Sequence, residues 1–441
     1  MLKKLRSYTW LLAGIIKRYR NVILVSFLGA LIVFVLAVRV SPFVINLFNR
    51  EKIVIGLVGA YTPSNLPLSV QKLISSGLTV IDESGKASGA LATSWEVSPD
   101  GREYIFHLQP NIYWHDGGQF EASDVNYNLK DVKFQAIDKN TLKVTLNEPF
   151  APLPGFLAKP LFKKGLVGVG SYKLKSIKLK GDIVIYLSLL PVRDGQAEII
   201  FKFYPSELMA KTAFKLGEIS SVEDISDPTP LSQWKSLSVT ETVQNTHYVA
   251  VFFNLENDFL KTKEVRQALA FALDKPEKNR IATPLSRTSW AYTTRVRQYD
   301  QDIAQAKKLL LGVKLPQAPL VLSTIDIYLS LAQIIAAQWE SVGVATKVKV
   351  IDALPDDYQA LLTTQEVQLD PDQYPLWHST QKLTNITRYS NPKIDKLLED
   401  GRKEQDQDKR QKIYFDFQRY LVEDAPAIFM FHPTTYTISR K

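Results

Sequence analysis

Glu366, Gln368, Asp370, Asp372, Tyr374 and Trp377 all fall within residues 366–377. The three carboxylates can hold a cation, the amide can bridge polar groups, and the two aromatic faces can take apolar side chains or a cation. The same residues also suit a structural turn packed by Tyr374 and Trp377, and spacing alone leaves both readings open. His115 beside Asp116 has the residue types of an acid–base dyad. Adjacent residues in a turn seldom share a face, which argues for scaffold there. His107, His247, His378 and His432 stand isolated, without metal-ligand spacing. A Gly-x-Ser-x-Gly nucleophile motif is absent. Gly168 and Gly170 have neither a phosphate-loop lysine pattern nor a following helix. There is no cysteine, which excludes disulfides, thiol catalysis, Cys-ligated zinc and a lipid-modified Cys. This inventory favours binding over catalysis, with no cofactor and no metal.

The elements that must position these groups start from composition. A chain of 441 residues, 45% hydrophobic and 22% charged, is long enough for two to three domains with a sizeable core. The net charge of +9 is concentrated at one end. Lys3, Lys4, Arg6, Lys17, Arg18, Arg20, Arg39 and Arg50 occupy residues 1–50 with no Asp or Glu, leaving 46 basic and 45 acidic residues beyond. A nucleic-acid footprint is therefore not expected on the body. Residues 21–38 carry no charge and would span about 27 Å as a helix, close to a hydrocarbon core. Six Lys/Arg precede this run, so the positive-inside rule places the N-terminus in the cytoplasm and residues 40–441 outside. A cleaved signal peptide is the alternative, but residues 38–42 offer no small-x-small site. The run 8–16 is too short to span and is expected at the interface.

Strand-like runs at 93–98 and 103–108 flank Pro99-Asp100-Gly101, and a third at 111–115 ends at Asp116-Gly117-Gly118. Ser123 and Asp124 suit a helix start. Further strands are expected at 52–58, 141–146, 172–174, 182–189, 199–204 and 248–254. A helix over 205–217 would turn Leu208, Ala213 and Leu216 inward. Another over 263–273 buries Val265, Ala268, Leu269 and Ala272, with Arg266 in a structural ion pair. Residues 320–324, 329–342 and 345–350 read strand, helix, strand, hence a parallel pair, with Leu331, Ile334, Ile335, Gln338 and Trp339 on the helix's inner face. Helices follow at 393–399 and 406–422, the latter with Ile413, Phe417, Tyr420 and Leu421 buried. A closing strand covers 427–432. The pattern is α/β with more than one lobe.

The segment 89–125, GALATSWEVSPDGREYIFHLQPNIYWHDGGQFEASDV, resembles the opening of the extracellular solute-binding proteins of family 5. GVGSYKL at 168–174, VFFNLENDFLKTKEVRQALAFALDK at 251–275, LDPDQYPLW at 369–377, NITRYSNPKIDKLLEDGR at 385–402 and EDAPAIFMFHP at 423–433 continue the likeness in order. The resemblance implies a class II periplasmic-binding-protein fold, with two lobes, a ligand cleft between them and two hinge crossings. By similarity the crossings lie near residues 252–255 and 429–433. The first lobe is expected over 51–255, with a β-rich subdomain at about 61–160, the second over 256–426, and a return strand over 427–441. The chain is short for the family, so 276–300 is expected to be a compact loop. Peptide binders of the family often place an Asp three residues before the Asp-Pro pair, to hold a peptide's amino terminus. Here that position is Val367, with Glu366 beside it.

The resemblance implies a membrane-tethered receptor that captures oligopeptides outside the cell and hands them to an ABC permease, and a monomer is expected. Its ligand contacts are sought among Glu366, Gln368, Asp370, Asp372, Tyr374 and Trp377, with Asn254 at the hinge or the ligand and Lys159 meeting an anionic group across the cleft. Other readings are a receptor for a metal chelate or a sugar, motivated by Val367, a surface-anchored hydrolase resting on His115-Asp116, and a sensor or assembly role without transport.

Overall fold

The computed structural model describes residues 18–48, 51–354 and 357–441, leaving aside the side chains of 23, 24, 37 and 40–48. The run 8–16 lies outside the described residues. The first helix, Arg20–Phe48, is 29 residues long and contains the uncharged run 21–38. Its large described apolar side chains between Val22 and Val38 are each 46–70% exposed. Among the described residues no helix is long and apolar enough to cross a membrane.

The body is built from four sheets. In chain order the first lobe contributes β1 (Lys52–Val58), β2 (Thr79–Ile81), β3 (Ala87–Gly89), β4 (Ala92–Val97), β5 (Glu103–Leu108), β6 (Val132–Ala136), β7 (Thr141–Leu146), β8 (Tyr172–Lys180), β9 (Ile183–Pro191), β10 (Glu198–Tyr204), β11 (Ser221–Ile225) and β12 (Leu237–Val243). The second lobe has β13 (His247–Phe253), β14 (Leu320–Thr324), β15 (Thr346–Val350), β16 (Ala360–Glu366) and β17 (Ala427–Phe431), before β18 (Thr434–Arg440) returns to the first.

A seven-stranded sheet in the order β12-β18-β11-β1-β10-β9-β8 forms the first lobe's body, with β1 parallel to both β10 and β11. One face packs Leu57, Leu187, Leu189, Phe201 and Phe203 with Val70 and Ile74 of the helix Leu68–Ile74. The other packs Val222, Ile225 and Ile438 with Ala210, Ala213 and Phe214 of the helix Glu207–Lys215. The four-stranded sheet β4-β5-β7-β6 encloses its own core of Tyr104, Phe106, Trp114, Phe120, Leu142 and Val144. The second lobe's five-stranded sheet runs β15-β14-β16-β13-β17, with β14 parallel to β15 and β16. The expected strand–helix–strand unit is present. Its helix, Leu329–Ser341, buries Ala332, Ile335, Ala336 and Trp339, and Trp339 donates from Nε1 to the Leu269 carbonyl at 3.0 Å. Ile334, expected inside, is exposed.

Several expectations are corrected. The first change of sheet falls at residues 244–246, not near 252–255: β13 pairs with β16 and β17 in the second lobe. Six of its seven residues are buried, as suits a strand with neighbours on both sides and cover on both faces. β17 pairs there too, so the return to the first lobe begins after residues 432–433, at β18. The run 111–115 forms no strand, only an isolated bridge from Tyr113 to Gln119, and the helix start at Ser123 yields a single turn, Ala122–Asp124. In the helix Glu207–Lys215 the buried positions 210, 213 and 214 follow helical spacing, and Leu208 lies on the opposite side. Leu208 and the following Leu216 are 75% and 72% exposed. The long helix Gln407–Asp424 buries Tyr414, Phe417, Leu421 and Val422, while Ile413 and Tyr420 are only half-buried. Arg266 makes no ion pair of the expected kind. Its guanidinium donates to the carbonyls of Leu260, Lys261, Asp424 and Ala425, tying the helix Lys263–Phe271 to the end of the long helix.

This packing sets two contrasting outcomes. Replacing Phe214 by Ala empties a fully buried site and is expected to cost about 3–5 kcal/mol. Leu208→Ser, at an exposed site, should shift stability by less than about 0.5 kcal/mol. Urea unfolding of the two variants checks the assignment, and equal losses would contradict it.

Candidate binding cleft

Covalently, the lobes meet at two adjacent crossings. Gln244 donates its backbone N–H to the Pro433 carbonyl at 2.9 Å and its side-chain amide to Thr435 Oγ1 at 2.6 Å. His432, only 2% exposed, donates from Nδ1 to the His247 carbonyl at 2.7 Å. These bonds knit the crossings into one hinge.

On the far side a second set of contacts joins the subdomain of the first lobe to the second lobe. The Trp290 N–H donates to the Ser84 carbonyl at 2.8 Å, and Thr288 Oγ1 to the Glu83 carbonyl at 2.7 Å. The Ala151 N–H donates to the Arg402 carbonyl at 2.7 Å, and Tyr104 donates its hydroxyl to Gln405 Oε1 at 3.1 Å. Gly85, at φ +84°, lies so close to the Leu369 carbonyl that a Cβ would strike it.

Two segments of the second lobe run from hinge to seam and are the candidate walls of a cleft. One starts where the Val367 N–H donates to the Thr246 carbonyl and ends at Leu369 against Gly85. The other starts where the His432 and Ile281 N–H groups meet the carbonyls of Asn279 and Met430, and ends at Trp290 against Ser84. Residues 276–300 thus form the expected loop, without helix or strand, as one wall.

The structure divides the sequence-derived site residues into two groups. Glu366 and Gln368 are exposed on the first wall, and Lys159 is exposed on the subdomain. Val367 is buried in the second lobe's core. Asp370 is buried and pairs bidentately with Arg410, at 2.8 and 3.1 Å. Burial opposes the Arg410 charge, but Asp370 and Tyr414 outweigh it and hold the guanidinium above its ordinary range. Asp372, also buried, receives Arg402 Nη2 at 2.8 Å and Nε at 3.1 Å. Arg402 in turn lies 3.9 Å over the Tyr374 ring, which stacks on His378 at 4.0 Å. Trp377 packs among Phe252 and Phe429. Asn254 ends β13 opposite the hinge, about 20 Å away by strand rise, where Nδ2 donates to the Tyr358 carbonyl and Oδ1 accepts from the Glu256 N–H. Asp370, Asp372, Tyr374 and Asn254 are thus held by internal partners, while Trp377 is packed in the core with its buried Nε1 unpartnered.

His115 and Asp116 do not form a dyad. His115 Nε2 donates to the Gly170 carbonyl at 2.9 Å, while Asp116 accepts from the Gly118 N–H and Lys163. Among the described residues no three His, Asp or Glu side chains gather as a metal site.

Sequence reasoning missed Glu223 and Arg287. Glu223 is half-buried on β11 beside Asp224, which accepts from hinge-linked Thr435. Burial first, then Asp224, push its carboxyl above the ordinary range. Arg287 is exposed on the loop wall and is the charge that bears on His432. The signal for Glu223 was two adjacent acids in an otherwise apolar strand. The loop around Arg287 gave none.

A family model described as bacterial extracellular solute-binding proteins, family 5 Middle, matches residues 86–382. The oligopeptide-binding protein AppA of Bacillus subtilis is 22% identical, with 85% of this chain and 84% of that protein aligned. The dipeptide-binding protein of Escherichia coli is 23% identical over 80% and 82%. Among solved structures, the substrate-binding protein CtaP of Listeria monocytogenes superposes with TM-score 0.77 at 24% identity, covering 89% of this chain and 94% of that one. NikZ of Campylobacter jejuni, in complex with Ni(L-His), gives 0.75 at 24% identity with the same coverage.

The hinge imidazole makes stability depend on pH. Burial, then Arg287, push His432 below its ordinary 6.5. Between that lowered value and 6.5 the unfolded chain binds the extra proton, so stability falls as pH falls through this window. Urea midpoints measured from about pH 7.5 down to about pH 5 are expected to drop for the wild type and to drop less for His432→Gln. Parallel profiles would remove His432 from the account.

Proposed function

The chain belongs to the bacterial extracellular solute-binding proteins of family 5, and from that premise we propose that it is a membrane-tethered receptor that captures oligopeptides and delivers them to an ABC permease. The observation that carries this reading is that the lobes join at a two-crossing hinge and touch again at a separate seam, with Glu366, Gln368 and Arg287 exposed on segments that run between the two. A hinge that closes two lobes over a solute needs this geometry. The names of the aligned relatives support the peptide class. With Val367 turned into the core, the carboxylates left to receive a peptide's ammonium are Glu366 and Glu223. Lys159 and Arg287 are the cations available to its carboxylate. An extended peptide would add main-chain hydrogen bonds to these walls, which favours broad specificity.

The tether rests on the helix Arg20–Phe48. A helix exposing Val22, Val25, Leu28, Leu31 and Phe34 on several sides has no place in water. Its uncharged run matches a hydrocarbon core, and the flanking arginines suit its two surfaces.

Both parts are testable. The full chain, purified in detergent and offered mixed pools of short peptides, sugars and nickel–histidine, is expected to retain peptides by mass spectrometry. Retention of only the sugar or the chelate would overturn the peptide reading. On carbonate extraction the full chain should stay with the membrane pellet, whereas its release would remove the tether.

A further inference from the structure

Away from the hinge, the lobes are also held at the seam, and its contacts are non-covalent. Rotation about the hinge must therefore part it. One residue sits on both sides of that event. Arg402 accepts the Ala151 N–H with its carbonyl, at 2.7 Å, and its guanidinium lies 5.3 Å from the Phe150 ring centroid. Both partners belong to the subdomain of the first lobe. The same guanidinium grips Asp372 through Nε and Nη2 and covers the Tyr374 ring at 3.9 Å, within the second lobe. Asp372 continues the chain of contacts. Its N–H donates to Asp370 Oδ1 at 2.9 Å, and its Oδ1 accepts the Tyr374 N–H at 3.1 Å. Asp370 follows Leu369, the last residue of the cleft wall. Neighbouring contacts reinforce the site, with Lys403 reaching Glu148 at 3.6 Å.

We propose that Arg402 is a positioning residue that couples seating of the subdomain to the order of the wall 366–369, so that closure and a finished binding wall are one event. This rests on the reading of the protein as a closing solute receptor. When the seam is shut, Phe150 caps one side of the guanidinium and Tyr374 and Asp372 fix the other. When it parts, the guanidinium gains solvent on the Phe150 side, its bonds to Asp372 weaken in the higher dielectric, and the wall loses its brace. Retention of solute then depends on a residue that need not touch it.

The chain has no cysteine, so two introduced thiols can be labelled cleanly. We would substitute Lys130→Cys on the subdomain and Lys412→Cys on the second lobe, both exposed, in the full chain in detergent, and read the lobe separation by single-molecule energy transfer. The probe is a tryptic digest of casein. Phe150→Ala removes the aromatic cap while keeping both Arg402 and Asp372, and should lower the ratio of closed to open molecules about two- to fivefold, the fold-change expected of one cation–π contact. Arg402→Met should lower it about tenfold or more, and adding Phe150→Ala to it should change little, because both remove the same link. Fully additive effects, or a closed fraction in Phe150→Ala equal to wild type, would overturn the proposal even if Arg402→Met does not fold. A wild type whose separation ignores the digest contradicts the peptide reading instead, while the latch is still read from the closed fraction without it.

Discussion

Everything in this molecule has to be reconciled with the fact that two short stretches of backbone, 244–246 and 432–433, join the lobes. Two adjacent crossings leave one soft rotation and restrain the others. Neither crossing is loose, because Gln244 and His432 bond across to the other strand. The cross-links keep the axis in one place. With the axis fixed, contacts on the far side can recur in register each time the lobes meet. The walls between are then defined by where each segment leaves the hinge and where it arrives at the seam.

The carboxylates of the Asp-Pro stretch show how a polar sequence becomes scaffold. Taking Asp370 out of water is costly, and only a partner with matching geometry offsets it. Arg410 supplies two parallel hydrogen bonds, and Arg402 does the same for Asp372. Removing one partner from such a pair leaves a bare buried charge, at about 3–5 kcal/mol. An exposed pair such as Arg419–Asp416 carries little by comparison. The two arginines therefore fix the stretch firmly, whereas Glu366 and Gln368, just before it, stay exposed.

Much of the architecture was legible in the sequence because periodicity reports burial. β1, β5, β7 and the helices near 263, 329 and 407 follow from it, as does the parallel β14–β15 pair. Which sheet a buried strand joins was not legible. β13 reads as apolar throughout whichever lobe holds it, and only its pairing with β16, more than a hundred residues on, settles the matter. Leu208 and Leu216 are apolar residues outside the helical phase set by Ala210, Ala213 and Phe214, so residue type and phase point to opposite faces there. In the cleft, Asp370 and Asp372 resembled ligand groups because the arginines that occupy them lie 40 and 30 residues downstream on separate helices. Glu366 and Gln368 stood in the same stretch and differ from them only in lacking such partners.

The backbone at Gly85 settles how far the lobes can shut. Its Cα presses on the Leu369 carbonyl with no side chain between. Any added methyl there would act as a doorstop. It would hold the subdomain off the second lobe by an atom's width at the seam, and by progressively less toward the pivot. In a receptor that closes as proposed, Gly85 is thus what lets the two backbones meet at the seam without a spacer.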